Sequence, residues 1–69
     1  MAKKKYDLVG VDGNAFCVMG YVARAMRAEG FSREEIKAYQ DDAMSSDYSH
    51  LISVSVDMVD ECNTRSKKK

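Results

Sequence analysis

The junction Gly30-Phe31-Ser32-Arg33-Glu34-Glu35-Ile36 constrains this chain more than any other stretch. Phe31, Ser32, Glu35 and Ile36 stand at N′, N-cap, N3 and N4, the spacing of a capping box joined to a hydrophobic staple. Gly30, just before them, suits the left-handed residue that ends a helix. One helix must therefore stop and another start within a few residues, which commits the chain to packed helices. The second helix is predicted over 33–44 and buries Ile36, Tyr39, Ala43 and Met44. Its acidic start suits the positive end of the helix dipole. Glu34, Glu35, Asp41 and Asp42 read as a solvated face and not as a carboxylate pair for catalysis.

Upstream, Gly13-Asn14-Ala15 marks another helix start: a glycine able to turn at positive φ, a strong N-cap type, and a run with helical spacing. The helix is predicted over 15–29. At 100° per residue, Ala15, Val18, Met19, Val22, Ala23, Ala25 and Met26 form its core face. Cys17, Gly20, Arg24 and Ala28 align on the opposite side, bordered by Phe16, Tyr21 and Arg27. Small residues there let another backbone approach closely, and Gly20 costs about 1 kcal/mol of helix propensity against alanine. The expectation is that this back face packs on a partner or a ligand. Before it, residues 6–12 carry apolar side chains at 6, 8, 9 and 11 and read as a short strand. A strand's ladder groups need partners, which points to another copy or to a later segment.

The last segment carries two patterns. Asp47 after two serines is an N-cap, and Leu51, Ile52, Val54, Met58, Val59 and Cys62 fit a broad helical stripe, so a helix over 48–62 is predicted. Residues 52–58 also alternate apolar and polar with β-branched side chains, which is a strand pattern. Beyond Asn63 the composition is polar and lysine-rich, and a basic disordered tail over 64–69 is expected, matching a basic disordered lead over 1–5. The single small domain is thus 6–63. Its class is mainly α, with α+β left open by the strand alternatives.

A chain of 69 residues buries a limited core and ordinarily needs a disulfide, a metal or a partner subunit. Two cysteines in no framework pattern and a single histidine favour neither of the first two, and no metal is expected. Self-association is left as the staple. The apolar run 8–11 is too short for a membrane span or a signal sequence, and no membrane contact is expected. Six of the eleven basic residues lie at 3–5 and 67–69, so five basic residues face eleven acidic ones between them, a body charge of about −6. Such a body repels polyphosphate backbones, and no specific nucleic-acid polymer is expected as partner.

No nucleophile–base pairing, glycine-rich phosphate loop or thiol pair marks an enzyme, and no cofactor is expected. Binding residues are easier to assemble. Asn14 offers an amide, the start of the first helix an anion site, and Arg24 and Arg27 phosphate clamps. Phe16, Tyr21 and Tyr48 offer stacking faces, Asp12 an acceptor for a guanine edge, and His50 a further hydrogen bond. Asp47 is a second such acceptor. Each has a plainer role: Phe16 and Tyr48 in the core, Arg24 in an ion pair, Asn14 and Asp47 as caps. Together, in a symmetric oligomer, they describe a small-anion pocket between subunits. The alternative is a protein-interaction module that docks through the Cys17/Gly20/Ala28 face.

The strings Gly10-Val11-Asp12-Gly13-Asn14-Ala15-Phe16, Met19-Gly20, Ala23-Arg24, Gly30-Phe31 and Ala43-Met44-Ser45-Ser46-Asp47-Tyr48-Ser49-His50-Leu51 resemble those of short proteins spread through bacteriophage genomes and some bacteria. The likeness covers about residues 7–62. Ser46 stands where those proteins more often carry glycine. In size and spread such proteins are similar to the viral nucleotide sponges that counter the CBASS immune system. That resemblance implies a tetramer that sequesters 3′,3′-cyclic GMP–AMP without hydrolysing it, in the cytoplasm of an infected bacterium.

Overall fold

A computed structural model describes residues 5–68, and within it three helices follow one another: α1 (Ala15–Ala28), α2 (Arg33–Ala43) and α3 (Tyr48–Lys68). Each starts where a side chain can satisfy the first free N–H groups. Asn14 Oδ1 accepts from the Phe16 N–H at 2.8 Å. Ser32 Oγ accepts from the Glu35 N–H at 3.1 Å while Glu35 Oε1 accepts from the Ser32 N–H at 2.9 Å, the reciprocal box the sequence predicts. That bond to the carboxylate holds the Glu35 carboxyl below its usual range. Asp47 Oδ1 accepts from the His50 N–H at 2.9 Å.

Glycine ends α1. Gly30 has φ 87°, the Phe31 N–H bonds to the Met26 carbonyl at 3.0 Å and the Gly30 N–H to the Arg27 carbonyl at 3.2 Å. These are the two bonds of a Schellman motif. Short turns of this kind force the helices to reverse, and long-range contacts fix their register. Tyr39 meets Ser55 and Asp42 meets His50, so α2 and α3 run antiparallel. Gly13 meets Tyr48 and Glu29 meets Arg65, so α1 and α3 run parallel. One end of the bundle therefore gathers the start of α1, the end of α2 and the start of α3.

The core is the seam among them: Val18, Met19, Val22, Ala25 and Met26 from α1, Ile36, Tyr39 and Ala43 from α2, and Leu51, Val59 and Cys62 from α3. Burial pushes the Cys62 thiol pKa up. Ser55 is fully buried in the α3 seam, where its hydroxyl lies 2.6 Å from that of Tyr39. The alternation over 52–58 is thus resolved as helix. Leu51, Ser55, Val59 and Cys62 fall on one face, and Val56 is turned outward.

Four expectations are corrected. Residues 6–12 form no strand; among the described residues there is none. The segment is an arm closed by a turn, in which the Val11 N–H bonds to the Leu8 carbonyl at 3.0 Å around Gly10 at φ 91°. The positive-φ turn thus falls at Gly10 and not at Gly13, because Asp12 and Asn14 settle the Gly13 corner with side-chain bonds. Met44 is the C-cap of α2 and exposed, one residue past the buried stripe. Residues 64–68 continue α3 instead of forming a tail. They are tied down by the Arg65 guanidinium, 3.7 Å over the Phe31 ring, and by Asn63 beside the arm. The lead over 1–5 lies outside the described residues except for Lys5, and so does Lys69.

Candidate functional site

The end of the bundle where α1 and α3 begin carries the most exposed aromatic surface. Phe16 is 77% exposed, Met44 55% and Tyr48 50%, so neither ring joins the core as their plainer role required. The α1 seam runs through Val18, Met19 and Val22, which leaves Phe16 in the first turn facing water. Tyr48 spans the two helix starts, its hydroxyl donating to the Gly13 carbonyl. Asp12 Oδ1 accepts from the Asn14 N–H at 3.0 Å, and Asn14 in turn caps α1. Asp12, Asn14, Phe16 and Tyr48 are therefore brought together. Neither α1 nor α3 has an acidic residue in its first turn, but the Asp47 carboxylate caps α3, so α1, capped by the neutral Asn14, is the helix that presents a positive dipole end here.

His50 lies in the first turn of α3 and faces α2, its Nε2 3.1 Å from Asp42 Oδ1. It braces the corner between the two helices. Tyr21 is committed elsewhere: its hydroxyl accepts from the Asp7 N–H at 2.9 Å and holds the arm. With Tyr6, Arg24, Ala25 and Ala28 it bounds an open groove of about 230 Å³. Arg27 lies on another groove, between α1 and α2, of about 590 Å³ beside Phe31, Arg33 and Lys37. Arg24 and Arg27 stand 8 and 11 residues beyond Phe16, about 12 and 16 Å along the helix. The two arginines thus lie about two to three turns beyond the aromatic end, each on its own groove. Arg24 makes no ion pair among the described residues, nor do Arg27 and Arg33, although acids outnumber bases in the body.

The back face of α1 is open. Gly20 and Arg24 are exposed, and a Cβ added at Gly20 would meet nothing within 4 Å. Among the described residues no group of three His, Cys, Asp or Glu is placed to hold a metal, and no helix is long and apolar enough to cross a membrane. No protein family, curated protein or solved structure matches this chain.

One polar centre escapes a reading of the sequence. Glu29, the C-cap of α1, has a side chain only 1% exposed. Its Oε2 accepts from the Tyr6 hydroxyl at 2.5 Å and lies 3.5 Å from Lys5 Nζ. The bond to that carboxylate, then partial burial and then the carboxylate's charge push the Tyr6 pKa up to about 12. The signal was there: an acid at the negative end of a helix is electrostatically misplaced, and position 29 continues the buried spacing of Val22 and Met26.

Proposed function

We propose that this chain is a non-catalytic binding protein that sequesters a cyclic dinucleotide of the 3′,3′-cyclic GMP–AMP class between copies of itself. Exposure of Phe16 and Tyr48 beside the start of α1, which is capped by a neutral side chain and has no first-turn acid, carries the reading. Aromatic faces stack on bases irrespective of identity, and helix N-termini accept phosphate oxygens. Asp12 and Asn14 supply hydrogen-bonding groups at the same end. In this reading Arg24 and Arg27, about two to three turns from the aromatic end, are supplied by a second copy, and the site belongs to an oligomer, a tetramer. The two charges of one cyclic dinucleotide are tolerable to a body of about −6 where a polymer's would not be. Immune evasion in the cytoplasm of an infected bacterium is the setting that the resemblance to phage proteins implies for such an activity.

Thermal unfolding against increasing 3′,3′-cyclic GMP–AMP tests the reading, since a ligand that binds only the folded state raises the midpoint with concentration. The rise should saturate, and in Phe16→Ala it should need roughly tenfold to a hundredfold more nucleotide. A midpoint indifferent to cyclic dinucleotides would turn the assignment to the second reading, a protein-interaction module. Met44, exposed at the end of α2 on the same end of the bundle, favours that reading, since flexible thioethers suit apolar protein contacts.

A further inference from the structure

The charges of the body are sorted across α2. On its α1 side lies the groove of Arg27, Arg33 and Lys37, floored by Ala23, Phe31 and Ile36. On its α3 side lies a shallower one carrying Asp42, Asp57, Asp60 and Glu61 beside the half-buried Val54 and Met58. Arg33 and Lys37 are four residues apart on one helix, and so are Asp57 and Glu61. Like charges at that spacing repel. Lys37 has Asp41 beside it, but each side still carries an excess of one sign that the other would relieve.

The register makes that relief geometrically possible. Tyr39 lies level with Ser55 through their buried hydroxyl pair. In antiparallel helices, two residues back from Tyr39 and two on from Ser55 put Lys37 level with Asp57. Four further of each put Arg33 level with Glu61. The basic and acidic pairs therefore sit at matching heights on opposite flanks of one exposed helix.

We propose that a second copy of this chain docks on α2 about a two-fold axis parallel to that helix. Rotation about such an axis exchanges left and right and preserves height. Arg33 and Lys37 of each copy then face Glu61 and Asp57 of the other, twice over. Ala38, small and exposed at the middle of the α2 face, lets the two helices approach. Glu34 and Asp41 come near the axis. Lys37 Nζ, 3.5 Å from Asp41 Oδ2, offsets one of these charges within each copy. The two aromatic ends lie side by side at the same end of the dimer. The inference supplies one interface of the oligomer proposed above and stands without any nucleotide.

Sedimentation velocity of the full chain without nucleotide, over a concentration series at low and high salt, is the test. The wild type should dimerise. Dimerisation should weaken steeply with salt, because the Debye length falls from about 10 Å at 0.1 M to about 3 Å at 1 M. Arg33→Glu/Lys37→Glu and Asp57→Lys/Glu61→Lys should each stay folded by circular dichroism and weaken dimerisation about tenfold or more. Mixed together, these two variants again oppose unlike charges in both places and should form a mixed dimer. A monomeric wild type, a dimer that survives either reversal, or a mixture that stays monomeric would overturn the proposal. Assembly seen only with cyclic dinucleotide would overturn this interface and leave the binding reading standing. A dimer that forms without nucleotide, in protein that calorimetry shows to bind no cyclic dinucleotide, would keep this interface and overturn the binding reading.

Discussion

The side-chain amide of Asn63 closes on the backbone of Tyr6 in both directions: Oδ1 accepts from the Tyr6 N–H at 2.8 Å, and Nδ2 donates to the Tyr6 carbonyl at 2.9 Å. An amide side chain has one acceptor and one donor edge, like the backbone it replaces. It therefore gives one residue of extended chain what a neighbouring strand would give. This is why the arm needs neither a strand mate nor a second subunit to satisfy its backbone at the half-buried Tyr6. Asn63→Ala leaves both Tyr6 groups without partners and should cost about 1–3 kcal/mol by urea unfolding. Hydrogen exchange of the Tyr6 amide should become fast. Asn63→Asp keeps the acceptor but sets a carboxylate oxygen against the Tyr6 carbonyl, so its loss should be largest at neutral pH and shrink in acid, when the protonated side chain can donate.

The same arm gives the stability of the fold an alkaline limit. Tyr6 titrates near its ordinary value of 10 when unfolded and near 12 when folded, because its hydroxyl donates to Glu29. A folded pKa above the unfolded one means the contribution is complete below pH 10 and lost as pH rises from about 10 to about 12. Tyr39 adds to this loss, since burial raises its pKa against the opposing bond from Ser55. Tyr6→Phe should remove part of the alkaline slope, with a tyrosinate titration showing one fewer late group. If the slope is unchanged, the Tyr6–Glu29 bond is not maintained in solution.

Ser55 and Tyr39 form the one buried side-chain hydroxyl pair described between helices, at 2.6 Å. Ser55→Ala strands the Tyr39 hydroxyl in the core and should cost about 1–3 kcal/mol. Tyr39→Phe should cost less, because the serine hydroxyl can turn to a carbonyl one turn back in its own helix. A double-mutant cycle in thermal unfolding checks this: the two losses should fall short of, or exceed, the double variant's by an interaction energy of about 0.5 kcal/mol or more.

These pairs also show what could be read from the chain and what could not. Every helix start was legible, because Asn14, Ser32 and Asp47 act within three residues of themselves, and Gly30 likewise stops α1 locally. Ser55 was not, because a hydrophobic pattern counts serine as surface, while its partner Tyr39 is 16 residues away. The alternation it completes imitates a strand. The arm was misread for the same reason at greater range, its partner Asn63 lying 57 residues on. Of the candidate site, Asp12, Asn14, Phe16 and Tyr48 do converge, since two parallel helices start side by side. Tyr21, Arg24 and Arg27 do not join them, and His50, at the same end, is turned to Asp42 on α2. Helical phase placed the arginines on a back face but said nothing of their distance along the axis from the aromatic end.

Phe16 separates binding from folding. With 77% of its surface in water, Phe16→Ala should change unfolding free energy by no more than about 0.5 kcal/mol. Stacking on a base is worth about 1–3 kcal/mol, so cyclic dinucleotide affinity in the same variant should fall roughly tenfold to a hundredfold by calorimetry. Equal affinity for wild type and variant would remove Phe16 from the site.

Gly20 decides whether the back of α1 serves anything. Its position is exposed, helical and without positive φ, and an added Cβ would meet no neighbour within 4 Å. Alanine there should therefore stabilise the lone chain by about 0.5–1 kcal/mol, through higher helix propensity and a less flexible unfolded state. For a domain of this size about 1 kcal/mol raises the melting midpoint by about 4–8 °C. The informative comparison is between dilute and concentrated protein. If a copy or ligand packs on this face, the methyl group gains stability in dilute monomer but weakens assembly or nucleotide affinity. If nothing packs there, Gly20→Ala raises the midpoint equally at every concentration and leaves sedimentation and binding as they were. The latter outcome would confine assembly to other surfaces, with the charged flanks of α2 first among them.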